Sequence, residues 1–525
     1  MNAAGPMTRR QALKLLSGAL SGLAVTRSWG ADAIPPAKTS GMVPGPFTGT
    51  RESLASYRCP EWFRDAKFGI WAHWGPQSAP EDGDWYARNL YLQGTKQYRD
   101  HLERYGHPTK FGYKDIIPTW KGEQFDPEYL VGLYKKAGAK YFMSLGVHVD
   151  NFDMWNSKYQ RWNAAKMGVK RDVVGQFRRA AQNHGLRFGV SDHLWMAYKW
   201  MSVAHASDLT GPLAGIPYDG IDPRWNDLYG GCPEIYRKLP WDEDGIPDSW
   251  KREWFRRIQD LVDQSQPDIL YCDGQIPFEQ WGLDLVAHFY NQNLQLHGDR
   301  LEAVYTSKRQ SDSDAGMCVF EKERGLVDGI WPQPWQAETC IGHWHYDRNV
   351  QYKTPKRVID ILVDVVSRNG NFLLNFPLNT DGVLDDREQK ILAAITGWME
   401  VNGQAIYGTR PWKTYGEGPN QVKPERGQKY GETNRKDFTF EDVRFTTNGK
   451  TLYAFFMGWP EQPRLTIAAL ATNRSFVAGK IQQVKLVGQD RRLSWTHTDT
   501  GLIVQLPPDK PCDFACVLEI KGLET

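Results

Sequence analysis

The chain has 525 residues, 41% of them hydrophobic, with 64 Lys+Arg against 62 Asp+Glu and a formal net charge of +2. That length leaves room for two or more domains and a sizeable core. The near balance of charge argues against nucleic acid or an anionic membrane surface as a partner.

In chain order, the first feature is “TRRQALKLLSGALSGLAV” followed by “ADA”. A twin-arginine pair, an apolar stretch from Leu15 to Val25 and a small-residue site, in that order, read as a signal peptide over residues 1–33. The apolar stretch is too short to span a bilayer as a helix, which takes about 20 residues. No later stretch is long and apolar enough to do so, and no membrane span is expected. Twin-arginine export implies a bacterial protein with a periplasmic or extracellular address. Removing residues 1–33 takes away four basic residues and one acidic one and brings the net charge to −1. Residues 34–58 read as a linker.

Between residues 59 and 410, short apolar runs alternate with amphipathic helical patterns. The expected strands are “KFGIWAHW”, “AKYFMSLGV”, “LRFGVSDH”, “PDILYCD”, “LEAVYTS” and “NFLLNF”. Among the helices between them, “EYLVGLYKKAG” and “DVVGQFRRAAQNHG” end in glycine. “KREWFRRIQDLVDQSQ” puts Trp254, Phe255, Ile258, Leu261 and Val262 on one face. Repeated strand–helix units predict a parallel sheet covered by helices. No phosphate-binding Gly-rich loop of a standard type is present, so the expected fold is α/β, a (β/α) TIM-like barrel. A helical stretch from Asp385 to about Ile406 follows. “YGEGPNQVKPERGQ” then reads as a polar loop, and alternating runs such as “KTLYAFFMGW”, “RLTIAALA”, “IQQVKLVG” and “GLIVQLP” as antiparallel strands. Residues 411–525 are expected to form a C-terminal β-sandwich.

The seven cysteines are too few and too scattered for a disulfide-built fold. Cys512 and Cys516 are spaced for a local bridge in an oxidising compartment, and none has zinc-site spacing.

Asp-Gly occurs six times, beginning at Asp82, Asp219, Asp244, Asp273, Asp328 and Asp381. Most must be turns. In “LYCDG”, however, the pair follows a buried-looking strand, which puts Asp273 at the C-terminal end of a barrel strand, where barrel enzymes carry their chemistry. The same position is expected for His73 and Trp74 in “FGIWAHWG”, for His148 in “LGVHVDNF” and for His193 in “LRFGVSDH”. Histidines and tryptophans around one barrel mouth suit a sugar, with directed hydrogen bonds to hydroxyls and an aromatic ring against its apolar face. A glycosidase needs a second carboxylate about 5–5.5 Å away if the first is a nucleophile. “CVFEKERGL” offers Glu321 and Glu323, expected on opposite faces so that only one points at the pocket, or else a surface ion-pair cluster with Lys322 and Arg324. “HWH” at 343–345 would place two histidines on one face of a strand, but no third ligand follows at recognisable spacing, and no metal is expected. No Gly-x-Ser-x-Gly elbow is present.

These stretches together resemble glycoside hydrolase family 29, the α-L-fucosidases. The likeness runs through “WFRDAKFGIWAHWGPQSAPEDGDWY”, “VHVDNFDMWNSKYQRWN”, “PDILYCDG”, “ERG”, “WQAETCIGHWHY” and “VDVVSRNGNFLLNFPLNTDG”, and reaches the C-terminal region in “DVRFTTNGKTLYAFFMGWPE”. The resemblance implies a retaining exo-glycosidase that removes terminal α-L-fucosyl residues from glycans, with a barrel, a β-sandwich behind it and no cofactor. It also implies Asp273 as nucleophile, Glu323 rather than Glu321 as acid/base, and sugar binding by His73, Trp85 and His148. Lys308 in “YTSKR” stands where relatives carry a basic residue. Two positions depart from the family pattern: the usual second histidine is Val149, and the usual Glu before “WY” is Asp84. They leave an α-L-galactoside or another L-sugar as the alternative substrate, and a non-catalytic carbohydrate-binding protein as the alternative class.

Overall fold

The computed structural model describes residues 41–421, 432 and 435–525. The expected signal peptide at 1–33 and the first residues of the expected linker lie outside them.

Eight parallel strands close into a barrel in chain order: β1 (Phe68–Ala72), β2 (Tyr141–Val147), β3 (Arg187–Asp192), β4 (Ile269–Cys272), β5 (Val304–Ser307), β6 (Val319–Glu323), β7 (Trp335–Cys340) and β8 (Gly370–Asn375). β1 pairs with β8, setting Phe68 opposite Phe372 and Trp71 opposite Asn375. Parallel strands covered by helices are buried on both faces. Accordingly every residue of these strands is buried except Arg187, Lys322 and Glu323. Gly69 is needed in β1 because a Cβ there would sit 2.2 Å from the ring of Tyr141, which fills the space in front of it.

The covering helices include α1 (Pro127–Lys136), α2 (Val173–Asn183), α3 (Asp248–Ser265), α4 (Gln280–Leu296) and α5 (Pro355–Ser367), and α6 (Asp386–Asn402) follows the last strand. Their starts are written in the sequence. Asp126, Asp172 and Thr354 accept a hydrogen bond from a first-turn N–H of α1, α2 and α5, and Asp385 with Glu388 forms a capping box on α6. Residues 43–58 are not the free linker the sequence suggests. Phe47, Leu54 and Tyr57 are buried, and the Asn291 side chain on α4 exchanges hydrogen bonds with the Phe47 N–H and C=O at 3.0 and 2.8 Å.

The C-terminal part holds two antiparallel sheets. One has five strands in the order β13 (Gly479–Leu486), β16 (Cys516–Leu523), β11 (Thr451–Phe456), β10 (Val443–Asn448) and β9 (Arg410–Glu417). The other has three, β12 (Arg464–Ile467), β15 (Gly501–Gln505) and β14 (Ser494–Thr498). The expected polar loop at 415–428 is partly strand, since β9 runs to Glu417; residues 422–428 of that stretch lie outside the described residues. β11 shows how the five-stranded sheet is used. Leu452, Ala454 and Phe456 enter the sandwich core, while Tyr453, Phe455 and Met457 just beyond belong to the core shared with the barrel. Both faces are covered, which is why the run “LYAFFM” is apolar without alternation. Cys512 and Cys516 are thiols with their sulfurs 3.7 Å apart.

Candidate active site

At the C-terminal ends of the barrel strands lies a cavity of about 220 Å³, and all seven residues singled out as site candidates line it: His73, Trp85, His148, His193, Asp273, Lys308 and Glu323. Asp273 directly follows β4. Its N–H donates to the Asp192 carbonyl at 2.9 Å, and its own carbonyl accepts from Trp195 Nε1 at 2.8 Å. Gly274 stands at φ +147, where a Cβ would come 2.8 Å from the Trp195 ring. This Asp-Gly is therefore no hairpin turn; the glycine lets a tryptophan close over the strand end.

Lys308, just past β5, ties the carboxylates together. Its Nζ lies 2.5 Å from Asp273 Oδ1, 2.8 Å from Glu323 Oε2 and 3.1 Å from Glu338 Oε1. Those distances keep Asp273 Oδ1 and Glu323 Oε2 no more than about 5.3 Å apart, so the separation does not exceed the roughly 5–5.5 Å of a nucleophile and acid/base pair and is too short for the wider spacing of an inverting pair. Burial alone would lower the lysine, but three carboxylates hold it well above the ordinary lysine range. Burial alone would likewise raise Asp273. Lys308, with His193 Nδ1 at 3.1 Å from Oδ2, holds the Asp273 carboxyl well below the usual range, so it is ionised.

Two polar residues of this cluster were not singled out in the sequence. Tyr271, two residues before Asp273 and on the same face of the strand, donates to Glu338 Oε1 at 2.7 Å and lies 3.3 Å from Asp273 Oδ1. Glu338, on β7, is buried, and its carboxyl is pushed up to about 7, first by burial and further by the charges of Glu323 and Asp273. The available signal was a glutamate inside the buried-looking run “WQAETC”.

Glu321 and Glu323 do not point to opposite sides. Residues two apart on a strand share a face, and both face the barrel interior, one layer apart. Glu321 lies below the cavity, where Gln336 Nε2 donates to its Oε2 at 2.6 Å, and burial pushes it well above the usual range. Glu323 reaches the cavity wall and pairs with Lys308, not in a surface cluster with Lys322 and Arg324. The Arg324 guanidinium lies over the Trp344 ring instead, 5.4 Å from its centroid.

The histidines divide their roles by their partners. His73 Nδ1 lies 3.1 Å from Asn375 Oδ1, and the His73 backbone N–H donates to the same oxygen at 2.9 Å. Asn375 Nδ2 donates to the Trp344 carbonyl at 2.9 Å, which fixes the amide's orientation. His73 Nδ1 therefore carries the proton and Nε2 is an acceptor. His148 Nδ1 faces Gln77 Nε2 at 2.9 Å, which makes that nitrogen the acceptor and Nε2 the donor. Burial holds both imidazoles well below the ordinary histidine value, aided at His73 first by His345 and at His148 first by His193. A hydroxyl-bearing ligand thus meets one acceptor and one donor, both neutral.

“HWH” does not put its histidines on one face, because residues 343–345 lie beyond β7 in irregular chain. His343 is half-exposed beside Asp347, whereas His345 is buried against His73 and His148. Among the described residues no group of three or more His, Cys, Asp or Glu side chains is placed to hold a metal ion.

Comparison with known proteins decides the family. The Alpha-L-fucosidase family model matches residues 37–404, and the Alpha-L-fucosidase C-terminal domain model matches residues 435–521. The chain belongs to the alpha-L-fucosidase family. Tissue alpha-L-fucosidase of Rattus norvegicus is 26% identical over 492 residues, covering 91% of this chain and 92% of that protein. Its Homo sapiens counterpart is also 26% identical, covering 92% and 93%. The Thermotoga maritima alpha-fucosidase crystallised in complex with fucose superposes with a TM-score of 0.68 at 26% identity, over 90% of this chain and 99% of that one. The same enzyme in complex with a mechanism based inhibitor gives 0.69 at 26% identity, over 91% and 100%.

Val149 and Asp84, the two positions read from the sequence as departures, fall at different depths. Val149 lines the cavity and offers it an apolar wall. Asp84 does not line it; its Oδ1 accepts the His345 backbone N–H at 2.7 Å.

Proposed function

We propose that this protein is a retaining exo-α-L-fucosidase that releases terminal α-L-fucosyl residues from glycans through a covalent glycosyl-enzyme. The observation that carries the reading is the pair of carboxyl groups that share Lys308, with Asp273 Oδ1 and Glu323 Oε2 no more than about 5.3 Å apart and both residues on the cavity wall. Ionised Asp273 attacks the anomeric carbon. As the new C–O bond forms, the glycosidic bond breaks, and protonated Glu323 delivers its proton to the departing oxygen. Glu323, now a carboxylate, then takes a proton from water as the water oxygen attacks the same carbon and Asp273 is released. His73, His148 and His193 supply hydrogen bonds to the sugar, and Trp85 an aromatic wall. Acid/base and nucleophilic catalysis by carboxyl groups requires no cofactor.

Glu338 is a second reading for the acid/base, favoured by a carboxyl pushed up to about 7, the range a general acid needs. Glu323 is preferred because it is 22% exposed at the side chain, where leaving group and water pass, against 1% for Glu338 behind Tyr271. The Arg9-Arg10 leader supports export to the periplasm or beyond by the twin-arginine route.

The test is release of an aryl alcohol from an aryl α-L-fucoside. Asp273→Ala is expected to lose at least about 10³-fold in kcat. Glu323→Ala is expected to spare substrates with good leaving groups and to recover rate with azide, whereas the same signature in Glu338→Ala would move the acid/base there. A folded wild type that turns over only an α-L-galactoside would overturn the fucoside assignment, and binding without turnover would establish a lectin-like protein.

A further inference from the structure

The cavity has an outer wall that the mechanism above does not use. Trp241 lines it yet is 45% exposed. Its ring centroid lies 6.3 Å from that of Trp85, which also lines the cavity and is held at φ 61, ψ 25, a left-handed conformation that costs a non-glycine residue of order 1 kcal/mol or more.

Trp241 sits in the long segment between β3 and α3, and that segment is tied down immediately after it. The buried Lys199 pairs with Asp242 at 2.5 Å. Glu243 accepts from Gln275 Nε2 at 2.5 Å and from the Phe278 N–H at 2.9 Å, both in the loop that carries Asp273 into α4. Upstream, the buried Arg88 guanidinium donates to the Tyr236 and Lys238 carbonyls. The chain thus spends a buried cation, a bidentate carboxylate and a buried guanidinium on holding a half-exposed indole beside the nucleophile loop. Such pre-organisation lowers the entropic cost of binding, and an indole has only two side-chain torsions to fix.

We infer that Trp241 is the specificity-determining platform for the leaving-group half of the substrate, on which a pyranose ring of that half stacks by its apolar face, outside the Trp85 wall of the fucosyl site. The position fixes which half is bound, because Glu323 opens toward solvent from the same cavity and its proton must reach the leaving oxygen. This inference rests on the fucosidase reading and adds the residue that receives its leaving group.

The experiment compares Trp241→Ala with wild type, both full chain, on α-L-fucosyl fluoride and on 2′-fucosyllactose. The fluoride leaves without a ring and reports the chemistry alone. The expected result is a fall in kcat/KM of about 10-fold on the oligosaccharide, the scale of one lost aromatic contact, with the fluoride unchanged within about 2-fold. Trp241→Phe is expected to recover most of the loss. Equal losses on both substrates, or no loss on either, would overturn the platform. A wild type active on the fluoride but indifferent to Trp241 rejects this subsite alone; a wild type inert on the fluoride rejects the fucosidase reading and this inference with it.

Discussion

One ammonium group sets the electrostatics of the site. Lys308 faces Asp273, Glu323 and Glu338 at 2.5–3.1 Å, and each of those carboxylates would repel the others without it. Replacing it with the near-isosteric Lys308→Met removes the largest influence holding Asp273 low. Because Asp273 must be ionised to act as the proposed nucleophile, the acid limb of the pH profile of kcat/KM is expected to move to higher pH by at least about one unit, with activity at neutral pH down by about 10². Lys308→Arg keeps the charge and is expected to keep the limb in place. Glu338 makes the opposite contribution to stability. Its folded value of about 7 lies above the ordinary 4.5, so between those two values the unfolded chain has lost a proton that the folded chain still holds. Stability from this group therefore falls as pH rises from about 4.5 to 7, by on the order of 3 kcal/mol. In Glu338→Gln that decline is expected to flatten, read as Tm against pH, while Glu321 below it still contributes a slope of the same sign. The candidate residues differed in how far the sequence revealed them. Asp273 and the histidines end apolar runs and stand out, whereas Glu338 and Tyr271 sit inside runs and become partners only when β4 and β7 face each other across the barrel.

At the scale of elements the same physics explains which strands could be read. Six of the eight barrel strands fall in apolar runs visible in the sequence. The two that escaped, β6 and β7, carry Glu321, Glu323, Gln336 and Glu338, whose side chains form the polar layers under and around the cavity. A strand that builds the site breaks the pattern by which strands are recognised. Alternation was also hidden in β11, because a sheet buried on both faces leaves no polar face. Helix α5 poses a related case, an amphipathic helix with an acid on its buried side. Asp364 is buried, with Arg444 Nε at 2.6 Å from β10, Arg368 Nε at 3.3 Å, and Arg435 also in contact. Although burial opposes it, the three guanidinium groups hold this carboxyl well below the usual range, so its stabilisation is fully present above about pH 4 and is lost only in strong acid. Asp364→Asn leaves three buried cations without their counter-charge and is expected to cost about 3–5 kcal/mol in denaturant unfolding at neutral pH. A loss under about 1 kcal/mol would mean that the arginines find other partners.

For the whole molecule, the C-terminal sheets serve as a structural support of the barrel rather than an appended module. Phe455, Met457 and Val517 belong to the same continuous core as the barrel strands and helices. Trp398 on α6 donates to the Ala515 carbonyl at 2.7 Å, Lys356 on α5 donates to the Met457 carbonyl at 3.0 Å, and Asp364 joins α5 to β10. One contact comes close to the chemistry. The Glu432 N–H donates to the carbonyl of Arg324, the residue after Glu323, at 3.1 Å, and the Glu432 carboxylate pairs with Lys353 at 3.2 Å. Domains joined through polar, modest interfaces unfold separately, but an interface that is apolar, ion-paired and continuous with the core makes unfolding of one part the loss of the other. Calorimetry of residues 42–525 is therefore expected to give a single endotherm, with activity lost at the same temperature. In Asp364→Asn that endotherm is expected to move down as a whole, since the ion cluster belongs to both parts. Two separated endotherms, only one of them shifted by Asp364→Asn, would show instead that the barrel holds its site without the sheets, and the Glu432 contact to Arg324 would then have no bearing on where Glu323 stands.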